Sequence, residues 1–203
     1  MSKDTAPKST SWAELRTNWS ECTRCALHEK RTKVVLGTGA VGKIMIVGQY
    51  PGRDEDSSGI PFCGVGGQYT QRAAEIARIP WDACFLDNCL GCRSVGKPRQ
   101  AMVNTCRPRL EDTIALVSPR LIVACGAVAT KWFSGTQFGM EIMSGTTGEY
   151  NGIPVYYCTH PMEPFRLMEN PNAVEKSVNK VRREWRAIGD LARELEILPR
   201  LYE

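Results

Sequence analysis

Cysteine is the residue type with the clearest potential for chemistry in this chain. Among the nine cysteines, Cys22 and Cys25 have CxxC spacing, as do Cys89 and Cys92, and Cys106 follows the second pair after a loop. Four thiolates gathered from such segments suit either a tetrahedral zinc ion or a [4Fe–4S] cubane. The spacing therefore predicts a metal site, leaves the metal open, and leaves Cys89 as the ambiguous member.

The other cysteines have a simpler interpretation. The chain has no signal-peptide core at its N-terminus and is expected in the cytoplasm, where thiols stay reduced, so a disulfide framework is disfavoured. We interpret the remaining four as small buried hydrophobic residues. They are Cys63, Cys84, Cys125 and Cys158.

The elements that must position these groups are visible as four short apolar runs, which predict buried parallel strands. The runs are Ile44 to Gly48, Cys84 to Asn88, Leu121 to Cys125 and Val155 to Cys158. Helical patterns separate the first three runs, from Gln68 to Arg78 and from Met102 to Val117.

Two further helices are predicted near the ends of the chain. Ser11 with Glu14 three residues later forms a capping-box pattern at the start of a first helix. After Asn172, apolar residues recur at helical spacing as far as Leu195, which predicts a long amphipathic helix. Its opposite face is basic and is either a solvated surface or a DNA-facing patch. The cations are Lys176, Lys180, Arg182, Arg183 and Arg186.

Strands that alternate with helices predict an α/β fold, a three-layer α/β/α sandwich around a four-stranded, mostly parallel sheet. We expect a single domain over residues 11–203 after a flexible tail over residues 1–10. Ligands of such sheets bind at the carboxyl ends of the strands. Three segments converge at that edge, namely Gln49 to Gly67, Asn88, and Thr159 to Pro161.

The glycine-rich segment from Gly37 to Lys43 satisfies GxGxxG and most of a phosphate-loop pattern. Both mechanisms need a glycine turn that leaves a strand and opens a helix. Here the glycines lead into the strand that begins at Ile44, so we do not expect nucleotide binding at this segment.

Composition narrows the class of partner. The chain has 203 residues and a formal net charge of +4, which is compatible with an anionic partner such as nucleic acid. Its apolar runs are too short to span a bilayer, so no membrane association is expected.

Several motifs, in order, resemble the family 4, iron–sulfur-containing uracil-DNA glycosylases. Cys22 to His28 is similar to the family's first cluster segment, and Gly48 to Gly64 is similar to its GExPGxxED…GxPFVG motif. Asn88 followed by Cys92 and Arg93 resembles the NxxxCR element, Cys106 supplies a fourth cysteine, and His160 with Pro161 matches the HP motif.

The resemblance implies a structural [4Fe–4S] cluster rather than zinc, with Cys22, Cys25, Cys92 and Cys106 as ligands and Cys89 as a neighbour. It also implies DNA as the partner. The oligomeric state is open, and a monomer is the default expectation for an enzyme that must wrap one nucleotide. Four basic residues are expected to contact the DNA. Three lie in the loop between Cys92 and Cys106, called the cluster loop below, and they are Arg93, Lys97 and Arg99. The fourth is Arg166.

The same resemblance assigns roles at the sheet edge in breaking the N-glycosidic bond of a flipped-out pyrimidine. Phe62 would offer a flat face to the base, Asn88 would bind its N3 and O4 edge, and His160 would donate to O2 as a neutral imidazole. Glu55 would flank the C5 side of the base or hold water near the sugar. Taken alone, Phe62 could be an ordinary core residue and Asn88 could cap a turn. His160 could be a loop residue, and Glu55 could belong to a solvated turn.

Gln49 and Tyr50 depart from the family, which usually has Glu and a small residue there, and place an aromatic ring in the substrate pocket. Three hypotheses follow. The chain removes uracil in DNA repair; or it removes a modified pyrimidine, such as hydroxymethylated or glucosylated cytosine of phage DNA, as a defence enzyme; or it is an inactive relative that binds DNA or a partner.

Overall fold

The computed structural model describes residues 8–201 and contains a six-stranded mixed sheet. The strands are β1 (Thr38–Gly39), β2 (Ile44–Gly48), β3 (Cys84–Asn88), β4 (Leu121–Cys125), β5 (Thr146–Tyr150) and β6 (Ile153–Cys158). Their order across the sheet is β1-β3-β2-β4-β6-β5. The four central strands are parallel, and β1 and β5 pair antiparallel at the two edges.

Eight α-helices accompany the sheet in the described residues. They are α1 (Trp12–Trp19), α2 (Arg53–Ser58), α3 (Val65–Ile76), α4 (Gln100–Val117), α5 (Ala127–Ser134), α6 (Met140–Met143), α7 (Glu163–Arg166) and α8 (Pro171–Glu194). Ser11 caps α1, because its side chain accepts a hydrogen bond from the N–H of Glu14 at 3.2 Å.

The sheet buries both faces, which explains why its central strands are apolar throughout. Ile44 and Ile46 of β2 pack with α3 and α8 on one side, where Trp185 is fully buried. Met45 and Val47 pack with α4 and α5 on the other. The arrangement is a three-layer α/β/α sandwich in a single domain, as the sequence predicts.

The predicted number of strands, four, is wrong, because the sheet has one further strand at each edge. β1 has only two residues, and both are exposed, so it leaves no apolar run in the sequence. β5 is exposed over most of its length and has no buried face for a period of two to mark. The glycine-rich segment over residues 37–43 contains β1 and leads into β2, so no helix begins there.

The tail expected over residues 1–10 lies outside the described residues up to position 7. Within the rest of it, Ser9 is buried and its N–H donates to Asp112 Oδ2 at 2.8 Å. None of the helices described between residues 8 and 201 combines the length and apolar character needed to cross a membrane.

Candidate active site

A cavity of about 510 Å³ opens at the carboxyl edge of the parallel strands. This volume is within the range of roughly 300–1,000 Å³ typical of small-molecule sites. Seven residues singled out in the sequence line it together. They are Gln49, Tyr50, Glu55, Phe62, Asn88, His160 and Arg166. The residues expected at this edge are therefore brought to one place.

Asn88 ends β3 and lies against β2, where Gly48 leaves room for it. A Cβ atom on Gly48 would lie 2.4 Å from Asn88 Oδ1 and 3.1 Å from Phe62 Cζ. Asn88 is 5% exposed, so its amide is held in a narrow space beside the Phe62 ring. The absence of a side chain at Gly48 brings the amide and the ring together.

Phe62 has a left-handed backbone with a φ of 57°, which is unfavourable for a bulky residue. The first turn of α3 packs directly against it, because a Cβ on Gly67 would lie 1.7 Å from the Phe62 carbonyl oxygen. Strained backbone of this kind is held by its surroundings and is often found at functional sites. The ring also contacts Trp81 edge to face at 6.4 Å between centroids.

His160 follows β6 and presents a defined tautomer. Its Nδ1 accepts a hydrogen bond from the N–H of Met162 at 3.1 Å, so the neutral ring carries its proton on Nε2. Burial, reinforced by the positive charge of Arg166, lowers the pKa of His160 to about 4. The side chain is therefore a neutral donor at physiological pH.

The residue before His160 is anchored from α8. Glu184 is buried, and its carboxylate accepts from the N–H of Thr159 at 2.7 Å and from the Thr159 hydroxyl at 3.0 Å. Burial raises the pKa of Glu184, while the two bonds from Thr159 oppose the shift. The 24-residue helix thus fixes the start of the His160 loop.

Acidic residues of α2 tie the cavity wall together. Glu55 Oε1 accepts from the N–H of Gly64 at 3.0 Å, which holds the segment after Phe62. Asp56 accepts from the N–H of Thr32 at 3.0 Å through one oxygen and 3.1 Å through the other. Glu55 lines the cavity with one carboxylate oxygen already engaged, and Asp56 links the wall to the segment after the first CxxC pair.

Gln49 and Tyr50 occupy different parts of the wall. A Cβ on Gly126 would lie 2.7 Å from Gln49 Nε2 and 3.2 Å from His160 Cβ, so the Gln49 amide and His160 meet over this glycine. Tyr50 is half-buried and packs against the core between the sheet and α4. Tyr50 also lines the cavity on that side.

A second, small cavity of about 20 Å³ is lined by all four cysteines of the predicted cluster. They are Cys22, Cys25, Cys92 and Cys106. Within residues 8–201, no three His, Cys, Asp or Glu side chains converge closely enough to hold a single metal ion. The four cysteines nevertheless lie around one common space.

N–H donors face three of these sulfur atoms. Arg24 Nη1 lies 3.6 Å from Cys22 Sγ, Arg31 Nη1 lies 3.6 Å from Cys92 Sγ, and the N–H of Gly91 points to Cys106 Sγ at 3.5 Å. Burial raises the pKa of Cys92 to about 11. Donors and cations of this kind compensate the charge that thiolate ligands would bring.

The five cysteines that do not line this cavity differ in their exposure to solvent. Cys84, Cys125 and Cys158 are buried, as expected, and Cys89 is buried in the core between the sheet and α4 and does not line the thiol cavity. The prediction that Cys63 is buried is wrong, because the side chain is exposed and contacts Ser58 Oγ at 3.1 Å. Phe62 takes the inward position, which leaves the next side chain facing solvent.

Three of the four residues predicted to contact DNA lie apart from the main cavity. Arg93, Lys97 and Arg99 line a separate groove of about 340 Å³ beside the cluster loop, together with Lys30. Arg166 lines the main cavity and is exposed. None of the α8 cations lines either space.

Sequence reasoning missed the residues that hold the site from behind. Glu184 and Arg109 lie in helices whose pattern marks a buried face but gives no partner. A charged residue at a buried helical position is the signal that could have found them. Gly67 resembles any helix-starting glycine until the contact with Phe62 is known.

A family model for the uracil DNA glycosylase superfamily matches residues 24–184, more than half of the chain. A type-4 uracil-DNA glycosylase of Thermotoga maritima is 30% identical over 158 residues, which are 74% of this chain and 81% of that protein. The corresponding protein of Sulfurisphaera tokodaii is 36% identical over 115 residues, 55% of this chain and 52% of its own length.

A third protein of the same name, from Pyrobaculum aerophilum, is 34% identical over 113 residues, 54% of this chain and 58% of its length. The chain thus spans little more than half of the Sulfurisphaera and Pyrobaculum proteins, and most of the Thermotoga protein. Together with the superfamily match and the fold, these similarities identify the chain as a member of the uracil-DNA glycosylase superfamily, in its type-4 group.

Proposed function

We propose that this protein is a monofunctional DNA glycosylase that hydrolyses the N-glycosidic bond of a flipped-out pyrimidine, with uracil as the substrate base and base excision repair as the context. The observation that carries the proposal is the meeting of Phe62, Asn88 and His160 around one cavity of about 510 Å³. The names of the similar proteins support uracil as the base.

Recognition requires that the target nucleotide leave the duplex, because its glycosidic bond and pairing edge are inaccessible in the stack. The flipped base lies on the Phe62 ring, and the Asn88 amide pairs with its N3–H and O4. An amide carries one acceptor and two donors, which matches the pairing edge of uracil. Arg166 at the cavity wall contacts a flanking phosphate.

Bond cleavage builds positive charge on the sugar and negative charge on the departing base. The Nε2–H of His160 donates to the base O2, where the negative charge collects. A neutral imidazole suits this role because it stabilises the charge without transferring a proton. The Glu55 carboxylate, which also lines the cavity, favours the positive charge at C1′.

We further propose that Cys22, Cys25, Cys92 and Cys106 hold a [4Fe–4S] cluster. The resemblance of their segments to those of the iron–sulfur-containing family favours a cluster over a zinc ion, and all four cysteines line one cavity. The cluster's contribution would be structural, joining the segment after α1 to the loop before α4. Iron and sulfide analysis of the purified protein should find four of each per chain; stoichiometric zinc without iron would overturn this assignment.

Excision assays test the function directly. Single-stranded and duplex oligonucleotides with one uracil should be converted to abasic sites, and Asn88→Ala or His160→Ala should each slow the single-turnover rate by about 100-fold to 1,000-fold. Glu175→Ala, an exposed change on α8, is the matched control. Full activity in both cavity variants would refute the site assignment.

The Tyr50 ring on the cavity wall favours one alternative substrate class, a modified pyrimidine that stacks on it. DNA that contains hydroxymethylated or glucosylated cytosine therefore belongs in the same assay. Abasic sites only in that DNA would replace uracil by the modified base. Binding without abasic sites in any substrate would leave a DNA-binding protein without glycosylase activity.

A further inference from the structure

A buried ion pair lies directly behind Asn88, outside the cavity. Arg109 of α4 and Asp87 of β3 are each about 1% exposed, and Arg109 Nη1 lies 3.0 Å from Asp87 Oδ1 and 2.9 Å from Oδ2. Replacing such a pair by apolar residues is often neutral or stabilising, so stability alone is a poor reason for it. The contacts that the pair makes suggest another role.

The pair holds both peptide groups of Asn88. The N–H of Asn88 donates to Asp87 Oδ1 at 2.7 Å, and Arg109 Nη2 donates to the Asn88 carbonyl oxygen. Asn88 is also the last residue of β3 in register with β2, and the N–H of Cys89 then donates to the Gly48 carbonyl oxygen at 3.0 Å. The two charged side chains thus bind the N–H and the carbonyl oxygen of Asn88 itself, while backbone bonds to the β2 segment hold the residues that follow it.

Arg109 reaches this position because the neighbouring loop makes room for it. A Cβ on Gly91 would lie 3.3 Å from both Cδ and Nε of Arg109. The N–H of Gly91 in turn points to Cys106 Sγ. The arginine therefore fills the short loop that runs from Asn88 to Cys92, one of the four thiols of the second cavity.

Fixing the Asn88 backbone has a consequence for base selection. Uracil offers a donor at N3 and an acceptor at O4, while cytosine offers the reverse, so an Asn amide that turns over pairs with cytosine as well as with uracil. The Asn88 amide lies close to Gly48 and the Phe62 ring, and the fit to both depends on the position of the Asn88 backbone. Loss of the anchor would let the amide turn.

We propose that Arg109, paired with Asp87, is a positioning residue that holds the Asn88 amide in the orientation for uracil. The inference rests on the proposed function, in which Asn88 reads the base. Arg109 does not touch the base and acts through the Asn88 carbonyl.

The test compares Arg109→Lys with Arg107→Lys, the same change two residues earlier on α4, where Arg107 contacts Glu111 and the Trp132 carbonyl. Lysine keeps a charge beside Asp87 but lacks the fork that serves two acceptors. R109K should slow uracil excision by about 10-fold to 100-fold, as expected for loss of an orienting partner. It should also lower the ratio of uracil to cytosine excision and leave affinity for abasic-site DNA unchanged, while R107K alters none of these.

The double variant Asp87→Asn with Arg109→Gln separates positioning from stability, because it leaves no unpaired buried charge. It should be more thermostable than R109Q and remain slow and less selective. A wild-type rate and base ratio in R109K, or in the double variant, would overturn the proposal.

An NMR measurement keeps this proposal distinct from the proposed function. If the wild-type protein excises no uracil, the proposed function is refuted. The side-chain amide signals of Asn88 still report how well ordered that amide is. Those signals should shift or broaden in R109K and stay unchanged in R107K. Unchanged Asn88 signals in R109K would also overturn the positioning role.

Discussion

At the scale of single residues, one backbone contact decides what His160 can do. The Met162 N–H occupies Nδ1, so the ring meets the cavity as an Nε2–H donor. Protonation would place a second hydrogen on Nδ1 against the Met162 N–H. Burial and the charge of Arg166 disfavour that protonation as well, which is why the pKa falls to about 4.

The pH profile of excision should therefore lack a histidine transition near the usual pKa of about 6.5. With the His160 pKa lowered to about 4, the ring stays neutral, and the single-turnover rate should be flat above roughly pH 5 and fall only as the pH approaches 4. Arg166→Gln removes the cation and should move the midpoint upward. A wild-type midpoint near 6.5 would contradict the lowered pKa.

The backbone of Phe62, which has a positive φ, packs closely against Gly67. Gly67→Ala would place a methyl carbon 1.7 Å from the Phe62 carbonyl oxygen and should destabilise the fold by about 1–3 kcal/mol, with loss of excision activity. Gly66→Ala adds the same group where the nearest atom is Met162 Cγ at 3.5 Å, so its melting temperature should not fall. Calorimetry of both variants makes the comparison; equal melting temperatures would refute the contact.

At the scale of elements, the site depends on how strand ends are tied to helices on both sides of the sheet. β3 is anchored by Arg109 of α4, and the segment after β6 is anchored by Glu184 of α8. Buried backbone groups at these strand ends that lack a backbone partner must bond to side chains, and the neighbouring helices supply those side chains. The positions of Asn88 and His160 are thus set by helices on opposite faces of the sheet.

Glu184→Ala should destabilise the protein by about 1–3 kcal/mol, because it leaves the buried Thr159 N–H and hydroxyl without an acceptor. Excision should slow as the His160 loop loosens. Glu184→Gln retains one acceptor oxygen and should lose less. Glu175→Ala on the exposed side of α8 is expected within about 0.5 kcal/mol of wild type; equal melting temperatures for all three variants would contradict the anchoring role.

At the scale of the whole molecule, basic residues form two separate regions that could follow a DNA strand. One is the groove lined by Lys30, Arg93, Lys97 and Arg99, and the other is the exposed face of α8. The groove adjoins the cluster loop, whereas none of the α8 cations lines the groove or the main cavity. We therefore expect phosphate contacts from the groove.

Salt dependence distinguishes the two regions. Lys97→Ala and Arg99→Ala should each make the plot of log affinity against log salt shallower by about 0.9 for duplex DNA, one phosphate contact each. Lys176→Ala on α8 should leave the slope unchanged. The reverse pattern would place the DNA along α8 instead of the groove.

Much of this protein follows from its sequence alone. The four central strands are visible as continuous apolar runs because both of their faces are buried, and the long helices are visible by their helical period. The family motifs mark the cavity residues and the four thiols because each motif is a short, contiguous pattern. Asn88, Phe62 and His160 could be placed at one edge because parallel strands end on the same side.

Tertiary structure decided what holds those residues in place. Arg109 meets Asp87 at a separation of 22 residues, and Glu184 meets Thr159 at a separation of 25. The exposure of Cys63 and the two antiparallel edge strands likewise follow from packing and not from local pattern. A local sequence pattern records whether a side chain is buried, but its partner is chosen only when distant segments meet.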